Sequence, residues 1–225
     1  MSDSQEGVIK YQLDFRQEKL PETIRLDQLE LCRSKLIRLG MLGQDDARYE
    51  GYGFGNISAR YTSVIDPANP LPANRLPGSP DAFLITGSQT GHLDSLSCDE
   101  YVLVEHFDEN ANSLRACGMV KPSSESLSHG VVYRTKAEVN AVIHVHDPEL
   151  WSNAEALQFP VIPSNIPYGT VEMAKAIAGL LLTLYSNRNA GVFVMAGHED
   201  GVIAFGPDVP AAMALLADKK QIKNN

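Results

Sequence analysis

The segment Val142-Ile-His-Val-His146 carries two imidazoles two residues apart. In a β-strand alternate side chains share a face, so His144 and His146 project the same way while Ile143 and Val145 turn into a core. Two adjacent imidazoles suit an apolar interior poorly and a divalent metal well; the competing reading is a half-buried strand whose histidines face water. His198, in Gly197-His-Glu-Asp-Gly201, is the candidate third ligand, because three histidines with an open fourth position form a catalytic zinc pattern. Taken alone it reads as an ordinary loop histidine. His92, His106 and His129 compete for that role.

Lys121-Pro-Ser-Ser-Glu125 is the second segment with chemical potential. Two serines at a helix N-terminus offer hydroxyls and backbone N–H groups to an anion, and Glu125 follows where a carboxylate could act as base or metal ligand. The alternative is a helix cap with a first-turn acid. Gly53-Phe-Gly-Asn-Ile-Ser58 and Ile85-Thr-Gly-Ser-Gln-Thr-Gly91 combine glycine with Asn, Ser and Thr, a composition that can cradle phosphate or simply make turns. Neither is a dinucleotide fingerprint or a P-loop, since the third glycine of the first and the lysine of the second are missing.

These residues need elements to hold them. Glu22 to Leu39 has Leu26, Leu29, Cys32, Leu36 and Leu39 at three- and four-residue steps, which predicts a helix ending at Gly40. Strands are predicted at Asn56–Tyr61, Ala82–Thr86, Glu138–His146, Gly191–Ala196 and Val202–Phe205, and a hairpin from Tyr101–Phe107 and Ser113–Cys117. Helices are predicted from Pro122 to Arg134, Thr170 to Ser186 and Val209 to Lys220, with a possible capping box at Ser97-Cys-Asp-Glu100. Ser63 to Pro80, with five prolines, reads as a surface loop. Residues 1–20 read as a loosely held N-terminal arm, and 21–225 as one domain. Strands mixed with helices, several joined as hairpins, predict an α/β sandwich with a mixed, mainly antiparallel sheet.

The 225 residues carry a formal charge of −9, with no Lys/Arg block. That disfavours nucleic acid and anionic membranes as partners, but a local pocket can still take an anionic substrate. Cys32, Cys98 and Cys117 lack CxxC spacing, so neither a disulfide framework nor a cysteine zinc site is expected. No basic start precedes an apolar core, and the longest apolar stretch, Ala176 to Tyr185, is about half of the ~20 residues a membrane span needs. The expectation is a cytoplasmic protein.

In this order the motifs resemble the class II aldolase/adducin family: GNIS at 55–58, ITGSQTG at 85–91, PSSE at 122–125, HVH at 144–146 and the late histidine of GHEDG at 197–201. The match runs from roughly Glu22 to Leu216. The resemblance implies a three-layer α/β/α sandwich and a homotetramer with sites between subunits. It implies a divalent metal, Zn2+ or else Mn2+, Fe2+ or Co2+, held by His144, His146 and His198. By position Glu125 matches the catalytic acid/base of the aldolases, and Asn56, Thr90, Gly91, Ser123 and Ser124 match positions that hold the substrate phosphate. Glu after the two serines is the aldolase and dehydratase pattern, whereas the sugar-phosphate epimerases have Asp. Segment 85–91 carries about two residues more than the family pattern between Ile85 and Thr90. The family's catalytic tyrosine has no clear counterpart, with Ser164 or a shifted Tyr168 nearby.

The implied function is a metal-dependent lyase that cleaves or forms a carbon–carbon bond in a ketose or ketose phosphate through an enediolate. The alternatives on the same scaffold are a sugar-phosphate dehydratase, an epimerase or a decarboxylase. The alternative from another class is an adducin-like interaction module without chemistry.

Overall fold

A computed structural model describes residues 7–66 and 78–223, with side chains to residue 218. Its centre is one nine-stranded sheet. The strands are β1 (Gln12–Gln17), β4 (Asn56–Arg60), β5 (Phe83–Thr86), β6 (Tyr101–Asp108), β7 (Ser113–Gly118), β8 (Ala141–His146), β9 (Val161–Ile162), β10 (Gly191–Met195) and β11 (Gly201–Gly206), in the order β1-β7-β6-β5-β4-β8-β11-β10-β9. Only the edge pairs, β1 with β7 and β9 with β10, are parallel. β2 (Gly43–Gln44) and β3 (Gly53–Phe54) form a separate two-stranded ribbon.

The fold is a three-layer α/β/α sandwich. On one face, Leu29, Cys32 and Leu36 of helix α1 (Asp27–Arg38) and Ala212, Met213 and Leu216 of α6 (Val209–Lys223) share a core with Ile143 and Val145 of β8. On the other, Leu127 and Val131 of α3 (Ser126–Thr135) and Met173, Ile177 and Leu181 of α5 (Val171–Leu184) pack on Val142, Phe193 and Phe205. Strand alternation sorts these residues: odd positions of β8 go to the α1/α6 core, even ones to the α3/α5 side. Short helices α2 (Tyr61–Val64) and α4 (Pro148–Ser152) follow β4 and β8. No described helix is long and apolar enough to cross a membrane.

Four local expectations are corrected. Within the predicted loose arm, Gln12–Gln17 is an edge strand of the main sheet, paired in register with β7. Its mixed polar sequence hides this, because an edge strand half-exposed to solvent needs little apolar content. The first helix starts at Asp27, not Glu22, since Ile24 is used in a bridge to Ile65. The stretch 63–80 begins in α2 and that bridge; most of its proline-rich part, 67–77, lies outside the described residues. The helix predicted from Pro122 starts at Ser126. Gly87 and Pro122 form a β-bridge, which holds the Pro-Ser-Ser segment in a turn and leaves Glu125 at the N-cap position.

Candidate active site

Strand β8 lies between β4 and β11. His144 and His146 stand on its α3/α5 face with Val142 behind them, and both are fully buried. The register sets Asn56 of β4 beside His144 and Gly201 of β11 beside His146. His198 sits in the turn that leads from β10 into β11, closed by Gly201 N–H donating to the His198 carbonyl at 3.0 Å. Gly197 allows this turn to tuck under the chain: a Cβ there would lie 1.9 Å from the Ile166 carbonyl oxygen. His198 is 3% exposed, so all three rings are buried from bulk solvent.

One ligand nitrogen from each of His144, His146 and His198 lies within 4.8 Å of the others. The Nε2 atoms of His144 and His146 are 3.1 Å apart, close to the ~3.3 Å separation that two zinc ligands at 2.0–2.1 Å adopt in a tetrahedron. Nδ1 of His144 donates to the Val202 carbonyl at 3.3 Å, which leaves the Nε2 lone pair directed at its partners. Burial holds both β8 histidines well below the usual imidazole range, and the nearby His198 ring adds to the shift. Three buried imidazoles can donate to a divalent metal, and imidazole suits zinc, iron and copper alike. The residues present therefore fit such an ion.

Glu125 is 1% exposed. Its Oε1 lies 3.9 Å from His198 Nδ1, and its Oε2 accepts from the Ser128 hydroxyl at 2.8 Å. Ser123 and Ser124 line a small pocket next to it together with Asn56, Gly55 and Gly91. The Oδ1 of Asn56 is buried there with no hydrogen-bond partner among the described residues. Thr90 is placed differently: it is buried, and its hydroxyl donates to the Gly87 carbonyl at 3.0 Å, holding the turn. The structure thus gathers the three histidines, Glu125, Asn56, Gly91, Ser123 and Ser124, and leaves the Thr90 hydroxyl outside the group.

Of the residues around the histidines, Tyr168 is one of the two positions the sequence offers near the family's tyrosine, whereas Tyr49 and Lys10 carry no such signal. The Tyr49 ring packs edge-on against His146 at 4.7 Å, and its hydroxyl donates to Asp200 Oδ2 at 2.6 Å while accepting from Arg48 at 2.7 Å. Tyr168 stacks on His198, with centroids 4.3 Å apart and planes 17° from parallel. Lys10 Nζ lies 3.6 Å from the Tyr168 ring centroid. Partners separated by so many residues leave no spacing signal; for Tyr49 the only hint is an aromatic just ahead of a glycine-rich turn.

Beneath the site, Ser58 Oγ is 2.7 Å from both His129 Nδ1 and Tyr133 Oη. Burial lowers the His129 pKa to about 3. In the unfolded chain that group titrates near ~6.5. The folded value is the lower one, so the unfolded state takes the proton first, and stability present above pH ~6.5 is lost as pH falls toward 3. Between pH 7 and 5 this one group should remove about 2 kcal/mol, roughly 4–8 °C of melting temperature for a chain this size. Thermal melts of metal-free protein at the two pH values should show a larger drop for the wild type than for His129→Gln. Equal drops would assign the acid sensitivity elsewhere.

A mixed sheet thus lies between two helix layers, with three buried histidines gathered near one strand end and a hydroxyl-lined pocket beside a carboxylate. The chain belongs to the class II aldolase and adducin N-terminal domain family, whose sequence model matches residues 42–218. Methylthioribulose-1-phosphate dehydratase of Enterobacter sp. (strain 638) is 32% identical over 99 residues, 44% of each protein, so the matched part spans under half of that relative's length. Among solved structures, YgbL from Klebsiella pneumoniae superposes with a TM-score of 0.60 at 17% identity, covering 87% of this chain and 84% of that one. The l-fuculose-1-phosphate aldolase from Thermus thermophilus gives 0.53 at 18% identity, over 87% and 88%. At these identities the structural likeness establishes the shared fold.

Proposed function

We propose that the chain is a metal-dependent lyase that makes or breaks the bond between the α and β carbons next to the carbonyl of a ketose or ketose phosphate. The observation that carries this reading is the placement of a buried carboxylate, Glu125, 3.9 Å from one of three clustered imidazoles. His144, His146 and His198 would hold the ion. When bound, a divalent metal supplies Lewis-acid polarisation of a substrate carbonyl. Glu125 moves the proton at the carbon next to that carbonyl, with its Oε2 oriented by Ser128. Asn56, Gly91, Ser123 and Ser124 hold the remote end of the substrate.

Dehydration of a sugar phosphate is the second reading, favoured by the name of the 32% identical relative; it removes a proton from the carbon next to a carbonyl, as aldol bond formation does, whereas aldol cleavage begins at the hydroxyl of the β carbon. A non-catalytic interaction module has no use for three buried histidines beside a buried carboxylate.

The test is a turnover screen of metal-loaded protein against ketose phosphates, unphosphorylated ketoses and hydroxy-keto acids. Cleavage to two carbonyl products supports the lyase; loss of water alone supports the dehydratase. A stoichiometric metal with no turnover on any of the three classes would count against both. We also read the protein as a homotetramer, on the family resemblance alone. Light scattering on the same sample should give a mass well above the 24.6 kDa of one chain.

A further inference from the structure

Between β2 and β3 the chain makes a turn in which two successive non-glycine residues, Tyr49 and Glu50, take left-handed φ values of +49° and +58°. L side chains rarely adopt that conformation, so it persists only where the surroundings fix it. Tyr49 supplies contacts that fix it, and they run to both segments that carry candidate ligands. Its ring meets the His146 ring at 72° between planes, and Phe54 closes on both, 5.0 Å from Tyr49 and 5.8 Å from His146 between centroids. Its hydroxyl reaches Asp200, in the turn that carries His198. Asp200 has a left-handed φ of its own, +59°, and its carbonyl accepts the N–H of Asp147, the residue after His146, at 2.9 Å. Arg48 braces the same corner: besides the Tyr49 hydroxyl it donates to the His146 carbonyl at 3.3 Å and to the Gly40 carbonyl at 2.8 Å.

Ring and hydroxyl do different work. An imidazole with two aromatic neighbours at contact distance cannot turn without displacing them, so Tyr49 and Phe54 hold the plane of His146. The hydroxyl lies between a guanidinium and a carboxylate, and a bond charge-assisted at each end is stronger than a neutral one. It ties the His198 turn to the end of β8. Ligands already held in place need no ordering when an ion arrives, so this support raises metal affinity without touching the ion.

We propose that Tyr49 is a positioning residue of the metal centre: its ring sets the plane of His146, and its hydroxyl locks the His198 turn through Asp200, so that the two imidazoles stay within reach of one ion. This rests on the metal-dependent reading above and adds to it a residue that takes no part in the carbon–carbon chemistry.

The test measures Zn2+ affinity of the full chain by competition with a chromogenic chelator. Tyr49→Phe keeps the ring on His146 and loses only the hydroxyl; it should bind Zn2+ about 10–100-fold more weakly than wild type. Asp200→Asn, which suits the left-handed backbone, should lose affinity over the same range. The double variant should lose little more than either single one, because both remove the same bond. Tyr185→Phe is the control: it removes a buried hydroxyl that donates to the Val192 carbonyl at 2.6 Å, tying α5 to β10, and should keep wild-type affinity. With Co2+ as the probe, the visible spectrum should change in Tyr49→Phe and not in Tyr185→Phe, a difference that lost stability alone does not produce. Wild-type Zn2+ affinity in Tyr49→Phe overturns the proposal. So do an equal loss in Tyr185→Phe, losses that add in the double variant, and an unchanged Co2+ spectrum. A wild type that binds no Zn2+ fails the metal reading and this proposal with it, whereas a wild type that binds Zn2+ beside an unaffected Tyr49→Phe removes this proposal alone.

Discussion

Glu125→Gln is expected to lower turnover by about 10²–10⁴-fold, the range for removing a general acid/base, while leaving the metal and the melting temperature in place. Glutamine keeps the shape and an amide oxygen that can still accept from Ser128, so the hydrogen bond at 2.8 Å has a replacement. It cannot take up and release a proton. The structure sharpens the contrast with a capping role. Glu125 occupies the N-cap position of α3, yet its side chain makes no capping hydrogen bond. A carboxylate acting only on the helix dipole would contribute ~0.3–1 kcal/mol to stability and nothing to rate. Steady-state kinetics and a thermal melt of the same preparation decide between the two. A variant that melts earlier and turns over at the wild-type rate would make Glu125 structural, and another group would have to move the proton.

His146→Ala should abolish stoichiometric metal binding, weakening affinity by more than the ~10–100-fold typical of losing an outer-shell partner. Two imidazoles hold a divalent ion poorly where three are arranged to close around it. His146 is fully buried and touches Tyr49 at 4.7 Å and Phe54 at 5.8 Å between ring centroids. Truncation therefore also opens a cavity and should cost about 2 kcal/mol in the metal-free protein. Elemental analysis after dialysis reads the first effect, and a melt with chelator reads the second. Full metal occupancy in His146→Ala would mean that the ion is held elsewhere.

What the sequence by itself determined is local in origin. Alternation within Val142–His146 is enough to put both histidines on one face and Ile143 and Val145 in the opposite core, because the side-chain period of a strand depends on nothing beyond the strand. The same holds for the capping box at Ser97 and Glu100 and for the Thr170 cap of α5, where each partner is three residues away. The short hairpin connections also carried the mixed, mainly antiparallel sheet, since antiparallel pairing follows from short connections.

Tertiary structure decided everything that rests on long-range pairing. The polar segment Gln12–Gln17 is a strand only because β7 offers it an open edge. Glu125 moved from the first turn to the N-cap because Pro122 is bridged to Gly87, a contact made across the sheet. Tyr49 meets Asp200, and Gln89 meets Gly53, at separations of 151 and 36 residues. No periodicity spans such distances. Those contacts exist because closing the sheet brings the strand ends and their loops to one rim, and there the packing of each side chain is settled by neighbours the local sequence does not name.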